Sequence, residues 1–268
     1  MNISILGCGW LGYPLALHLK KKKHHIKGST TTDRKLQNLQ DQGITPFKIL
    51  LQPGFSGDDN FLDSQVIIIN IPPSRDPVHA TTWMTSAISS LLNKIDRFPV
   101  KKVIFVSSTS VYPQLNREVF ETDATDPDRE AGRALLQAED LLRNDTRVET
   151  TILRFGGLIG YDRKPGRFLA GKKNIPNGDA PVNLIHRDDC IEIIDRIIEK
   201  DIWGETLNAC ADKHPVKRDF YTRAARNAGL QVPEFDRSNH TAYKRVNSGR
   251  LKELLNFQFR YPDPMEVI

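Results

Sequence analysis

Three glycines, Gly7, Gly9 and Gly12, follow a short apolar run at the head of the chain, in the order Ile-Leu-Gly-Cys-Gly-Trp-Leu-Gly. Glycines at this spacing point to phosphate binding. Gly7 makes a tight turn, Gly9 lets a pyrophosphate approach the backbone, and Gly12 lets the next helix pack closely on the strand. The apolar positions Leu11, Leu15, Ala16 and Leu19 open that helix, whose unpaired N–H groups and dipole attract an anion. Trp10 and Leu11, inside the turn, join the candidate contacts. Where NAD-binding versions of this turn place an acid, about 20 residues after the first glycine, the chain has Ser29, Thr30 and Thr31, followed by Arg34 and Lys35. Hydroxyls and cations suit an additional phosphate better than a ribose diol. The expected cofactor is therefore NADP, with NAD as the alternative, and Asp33 reads as a helix cap.

Such a turn needs a strand before it and a helix after it, and the pattern repeats along the chain. Strands are read at 3–6, 25–28, 46–51, 66–71, 102–106 and 150–154, and helices at 11–20, 34–42, 77–98 and 131–142. Within the runs 66–71 and 102–106, residues 66–69 and 103–106 are continuously apolar, as central parallel strands covered on both faces must be. Alternation of this kind predicts an α/β fold with a doubly wound, Rossmann-like parallel sheet. Further on come a turn with Gly156, Gly157 and Gly160, a short strand at 182–185 and a helix at 189–200. Segments 206–209, 218–228 and 250–255 read as a small appended lobe. As domains, this gives a dinucleotide-binding core at 1–158 completed by 181–207, and a substrate lobe from 159–180 and 208–268.

Composition narrows the function classes. The chain has 268 residues, 39% hydrophobic and 26% charged, enough for a well-buried core. No apolar run approaches the roughly 20 residues of a membrane span, and a strand from residue 2 leaves no room for a signal peptide, so a cytoplasmic protein is expected. Cys8, Cys190 and Cys210 lack metal-ligand spacing and read as reduced thiols, with no metal. A net charge of +5 suits an anionic small molecule. The basic run Lys20–Lys23 carries no interleaved aromatics, and it reads as the end of a helix, not as a nucleic-acid contact. Nothing in the sequence sets an oligomeric state.

The segment Phe105-Val-Ser-Ser-Thr-Ser-Val-Tyr112 resembles the extended short-chain dehydrogenase/reductase family, which includes sugar-nucleotide epimerases and dehydratases. The resemblance spans almost the whole chain. It takes in Ile69-Asn-Ile-Pro-Pro73, Leu153-Arg-Phe-Gly-Gly-Leu-Ile-Gly160, Val182-Asn-Leu-Ile-His-Arg-Asp-Asp189 and Gly204-Glu-Thr-Leu-Asn208. It implies cofactor contacts at Ile71, Pro72 and Pro73, and a nicotinamide near Ser107, Ser108, Phe155, Gly156 and Gly157. In that family a serine at the strand end polarises the substrate oxygen, and a Tyr-x-x-x-Lys pair on the next helix handles the proton. Ser108 matches the serine. Ala131 and Leu135 occupy the tyrosine and lysine positions, with Gly132, Ala138 and Glu139 keeping the register. A retained glycine loop with a lost pair resembles the atypical branch of the family and its YeeZ-like subgroup. The loop Gly-x-Gly-Trp-Leu-Gly, the Gly-Arg-Ala-Leu helix, Pro165-Gly-Arg-Phe168 and Tyr261-Pro-Asp-Pro264 carry that narrower match.

With the pair lost, other side chains come under consideration, each with a plainer alternative. Tyr112, one short turn from Ser108, is either a substitute proton donor or an aromatic packed under the loop. Thr109 either binds an oxyanion with Ser108 or satisfies backbone groups. Arg133 either steadies a substrate phosphate or carboxylate or lies on the surface. Arg167, in the basic loop from Gly160 to Lys173, is either one fork of an anion clamp or solvated. His186 either titrates near neutral pH at the site or serves structure at a strand end. Two functions follow. One is an NAD(P)-dependent oxidoreductase or epimerase acting on a small anionic or sugar-like substrate; the other is a catalytically inactive NADP-binding regulator or sensor.

Overall fold

Alternating strands and helices assemble into a seven-stranded, all-parallel sheet in a computed structural model that describes residues 1–51, 54–74, 76, 78–236 and 242–268. The first half of the chain contributes β1 (Asn2–Leu6), α1 (Gly12–Lys21), β2 (His25–Thr30), α2 (Asp33–Asp41), β3 (Thr45–Lys48), β4 (Val66–Ile69), α3 (Ala80–Ile95) and β5 (Lys102–Ser108). Next come β6 (Glu118–Val119), α4 (Glu130–Asn144), β7 (Glu149–Phe155), β8 (Gly157–Ile159), α5 (Gly166–Leu169), β9 (Leu184–His186), α6 (Arg187–Lys200) and β10 (Thr206–Ala209). The chain closes with α7 (Lys217–Asn227), β11 (Arg245–Val246) and α8 (Gly249–Leu255).

Strand order is β10-β7-β5-β4-β1-β2-β3. After β3 the chain crosses back over β1 to lay down β4 on its other side. The connections leaving the carboxyl ends of β1 and β4 therefore diverge, which opens a crevice there. β4 shows why the sheet sits between two helical layers. Val66 and Ile68 pack on one face with Leu15 of α1 and Ile194 of α6, whereas Ile67 and Ile69 pack on the other with Met84 of α3 and Ala138 of α4.

Several sequence expectations shift. The helix read at 77–98 spans Ala80–Ile95, and Pro77 lies outside the described residues. β5 runs on to Ser108, which brings Ser107 and Ser108 into the strand. Segment 206–209, expected in the lobe, is the edge strand of the main sheet, in register with Ile152–Phe155 of β7. α8 also leaves the lobe: Leu251 and Leu255, with Phe257 and Phe259, join the core beneath α1 and α6. Short apolar segments reveal that they are buried but not against which partner. Away from the sheet, β8 pairs with β9, and Ile159, Val182, Leu184 and Phe220 form a satellite core.

Candidate functional site

The crevice between β1 and β4 is built by the glycine turn, and the three glycines have three different surroundings. Gly7 has a φ of +104°, and its N–H donates to Ser29 Oγ (2.9 Å) while Asn70 Nδ2 donates to its carbonyl (3.0 Å). A side chain at Gly12 would collide with that same Gly7 carbonyl. Gly9 differs from both: a Cβ there would meet no heavy atom within 4 Å, so its face is open to the crevice. The N–H groups of Trp10, Leu11 and Gly12 find no acceptor among the described residues. They are the unpaired donors that a helix start offers to an anion.

A cavity of about 440 Å³ extends from this turn along the ends of β2 and β4. Gly7, Gly9, Ser29, Thr30, Thr31, Ile71, Pro72 and Pro73 all line it, so most of the expected contacts meet. Arg34 does not. It is exposed on α2, and Lys35 lines the cavity instead, because one residue along a helix turns a side chain by about 100°. No carboxylate stands among the described lining residues, and Asp33 pairs outward with Lys48 (2.8 Å). Sequence reasoning did not identify Ile49, Leu51 and Trp83, the apolar lining of the cavity, or Asn70, which braces the turn. Asn70 lay inside a quoted motif, whereas Trp83 carried no local signal. An apolar slot with amide donors at one end and hydroxyls with a lysine at the other suits a phosphate-linked nucleoside.

Strand register sets Ser108 of β5 opposite Phe155 of β7, so these two expected contacts do come together. Gly156 is buried against the Asn183 carbonyl and Cys210, and Gly157 is exposed at the start of β8. None of the four is part of the cavity lining. Ser108 Oγ accepts from the Ser110 N–H (3.1 Å), which leaves its own proton available to a substrate oxygen. Thr109 is buried, in a single 3₁₀ turn with Val111.

Beside Ser108 the hydroxyls are already committed. Ser107 donates to Glu139 Oε1 (2.6 Å), and Glu139, fully buried, takes the Arg154 guanidinium through Nη2 (2.6 Å) and Nε (3.1 Å). Arg154 Nη1 donates in turn to Tyr112 Oη (2.7 Å), which donates to Asn208 Oδ1 (2.5 Å). Tyr112 is fully buried, and burial raises its pKa despite the opposing Arg154 charge. Its geometry is that of the packed aromatic, not of a proton donor facing substrate.

The other candidates lie elsewhere. Arg133 is exposed and pairs with Glu130 (3.5 Å), one turn away, and Arg167 is exposed on the single turn of α5. Leu11 is buried at the start of α1. The Trp10 indole swings away from the glycine turn, donates to Asp162 (2.7 Å) and lies under the Arg163 and Arg187 guanidiniums. His186 caps α6, its Nδ1 accepting from the Asp188 N–H (3.2 Å), and its ring lies 3.9 Å from that of Tyr261. Burial lowers its pKa, so it is held neutral in a structural role.

Next to it, Asp189 accepts from the N–H groups of Arg260 (2.7 Å) and Tyr261 (3.2 Å), yet burial pushes its carboxyl up to about 6. An acid with a folded pKa above its unfolded value of about 3.9 keeps its proton longer in the native state. Its contribution to stability is fully present below pH ~4 and is lost as pH rises through 6. Asp189→Asn should therefore flatten the urea-unfolding stability profile between pH 4 and 6.5 (window set by the same pKa values). An unaltered slope would show that Asp189 is already ionised in the fold.

No family model matches the chain. It is 34% identical over 269 aligned positions to protein YeeZ of Escherichia coli strain K12, which covers 98% of this chain and 97% of that one. Among solved structures it resembles a functionally unknown conserved protein from Silicibacter pomeroyi, with a TM-score of 0.77, 22% identity, and coverage of 99% and 96%. It also resembles UDP-glucuronic acid 4-epimerase from Bacillus cereus in complex with UDP-glucuronic acid and NAD, with a TM-score of 0.79, 20% identity, and coverage of 100% and 97%.

Proposed function

The chain belongs to the YeeZ-like subgroup of the atypical extended short-chain dehydrogenases/reductases, and we propose that it binds NADP(H) in the crevice between β1 and β4. The observation that carries this reading is the open face of Gly9 beside three unpaired amides. The pyrophosphate lies over Gly9 and is held by the N–H groups of Trp10, Leu11 and Gly12. The adenosine end occupies the cavity beside Trp83, with Ser29, Thr30, Thr31 and Lys35 around its 2′-phosphate. The absence of a carboxylate from the described lining supports NADP over NAD. Three free, buried cysteines agree with a reducing cytoplasm.

When bound, the nicotinamide supplies a hydride donor or acceptor. Around it, Ser108 offers one O–H to the oxygen of a small anionic or sugar-like substrate. The proton relay of the family is missing: Ala131 replaces the tyrosine, and Leu135, in the lysine position, is packed into the core between α3 and α4. Without general acid–base help, turnover falls by roughly a hundred- to ten-thousand-fold. An oxidoreductase or epimerase of low turnover is the first reading. The buried Tyr112 hydroxyl, with both hydrogen bonds already made inside the protein, favours the second, a non-catalytic NADP-binding sensor.

Calorimetric titration with NADPH and NADH tests the cofactor assignment. NADPH is expected to bind more tightly, and Lys35→Ala should weaken it by about ten- to a hundredfold, the usual worth of a charge-assisted hydrogen bond. NADH affinity should stay unchanged, and Arg34→Ala should affect neither. Equal affinity for the two dinucleotides would overturn the preference.

A further inference from the structure

A single turn of the lobe, residues 160–163, grips the glycine turn 152 positions before it. Its two ends close on each other, the Arg163 N–H donating to the Gly160 carbonyl (3.0 Å). Each of its residues also has a contact across the fold. Gly160 lies so close to the His186 ring that a Cβ there would collide with Nε2. Tyr161 donates its hydroxyl to Asp188 (2.9 Å), and its ring lies 3.9 Å from the Arg187 guanidinium. Asp162 accepts from the Trp10 indole (2.7 Å), and the Arg163 guanidinium stacks over that indole (5.5 Å). Arg187 reaches the same residue from the start of α6: its Nη1 donates to the Trp10 carbonyl (3.4 Å), while its buried Nε finds no acceptor among the described residues. Trp10 is thus held by its side chain through Asp162 and by its carbonyl through Arg187, and its own N–H is left for a ligand.

This grip is of a kind that can be released. Tyr161, Asp162 and Arg163 are exposed, so water competes for the polar contacts they make and none costs much to break. Tyr161 has a φ of +54°, a conformation that a bulky residue adopts only where its surroundings impose it. Opening the Trp10–Asp162 bond lets that backbone relax, which offsets part of the lost hydrogen bond. Two arrangements of the turn therefore lie close in free energy. Past Arg163 the chain runs into α5, where Gly166 packs against the Ala224 carbonyl of α7, so a movement of the turn carries into the lobe. The turn also forms one wall of a second cavity, of about 210 Å³, whose other side is α7.

We propose that Trp10, Asp162 and Arg187 form a latch that couples occupancy of the glycine turn to closure of the lobe turn at 160–163. The latch rests on the dinucleotide reading above and adds a regulation to that site. A pyrophosphate on the Trp10 N–H fixes the residue whose side chain Asp162 holds. A closed latch, in return, keeps that amide aimed at the anion, and the linkage is reciprocal. Trp10 touches the cofactor through its amide, whereas Asp162 and Arg187 are positioning residues that act through it. For a non-catalytic sensor the latch supplies the output, because empty and loaded protein differ in how firmly the lobe turn is held.

Limited trypsin digestion reads the latch at the bonds after Arg163 and Arg167, with cleavage after Arg143 of α4 as a remote reference. In the wild-type protein, saturating NADPH is expected to slow cleavage at the two lobe bonds by about fivefold or more, the lower end of ordinary coupling between sites. Trp10→Phe keeps an aromatic ring and loses the N–H donor, and Asp162→Ala loses the acceptor. Both should be cut faster at the lobe bonds without cofactor, lose most of the protection, and bind NADPH several-fold more weakly by calorimetry. Asp162→Asn keeps an acceptor for the indole and should retain the protection. Three results would overturn the latch and leave the cofactor reading intact: NADPH that binds without protecting the wild-type turn, equal protection after Arg143, or undiminished protection in Trp10→Phe and Asp162→Ala. No NADPH binding at all in calorimetry would remove the cofactor reading and the coupling with it.

Discussion

Gly9→Val is expected to abolish dinucleotide binding while leaving the protein as stable as before. A Cβ at position 9 meets no heavy atom of the described residues within 4 Å, and the residue does not need the left-handed backbone that Gly7 does, so the fold should accept valine. The isopropyl group would instead stand where a pyrophosphate must pass to reach the Trp10, Leu11 and Gly12 amides. Losing those contacts should weaken NADPH by at least about a hundredfold, or about 2.8 kcal/mol at about 1.4 kcal/mol per decade. Gly7→Ala is the contrasting control: at φ +104° and against the Asn70 carbonyl, it should destabilise the fold itself. Calorimetry with NADPH and a thermal melt read the two outcomes independently. Unchanged affinity in Gly9→Val would mean that no pyrophosphate crosses this turn, and a large fall in Tm would make the glycine structural.

That contrast also shows how far the sequence could be read. The motif assigned distinct roles to Gly7, Gly9 and Gly12 because each role depends on local backbone geometry, which a short motif encodes. The doubly wound sheet was legible for a similar reason: short continuous apolar runs such as 66–69, bounded by turn residues, read as strands covered on both faces. Partnerships across the fold were not legible. Arg34 was chosen over Lys35 because both carry the right charge and only the phase of α2 separates them. Trp83 reaches the cavity from α3, and nothing near it in sequence distinguishes it from a core aromatic. Residues 206–209 and 250–255 looked peripheral because they come late in the chain, although one completes the sheet and the other its core. The motif picks out the hydroxyls at the end of β5, yet which of them is available depends on Glu139 and Arg154. These two lie 15 positions apart, on a helix and a strand, and no periodicity links them.

Glu139→Ala should be among the most destabilising substitutions in the chain. Glu139 is fully inaccessible and Arg154 is 2% exposed, so the pair exists entirely within the protein. Truncating the acid leaves the guanidinium with only the Tyr112 hydroxyl and the Glu121 carbonyl, and strands the Ser107 hydroxyl as well. An uncompensated buried charge of this kind costs about 3–5 kcal/mol. For a domain of this size, at roughly 2–4 °C per kcal/mol, Tm should fall by about 6–20 °C. Glu139→Gln keeps the shape and one acceptor and should cost less. The double variant Glu139→Leu/Arg154→Met removes both charges and should recover much of the loss, because a well-packed apolar pair can replace a buried ion pair. The network holds Ser107 and Tyr112 on either side of Ser108 but does not touch the glycine turn. Below its lowered Tm, Glu139→Ala should therefore still bind NADPH with wild-type affinity. Joint loss of stability and cofactor affinity would mean that the two halves of the site are mechanically coupled, and a Tm unchanged in Glu139→Ala would show that the pair is not buried in solution.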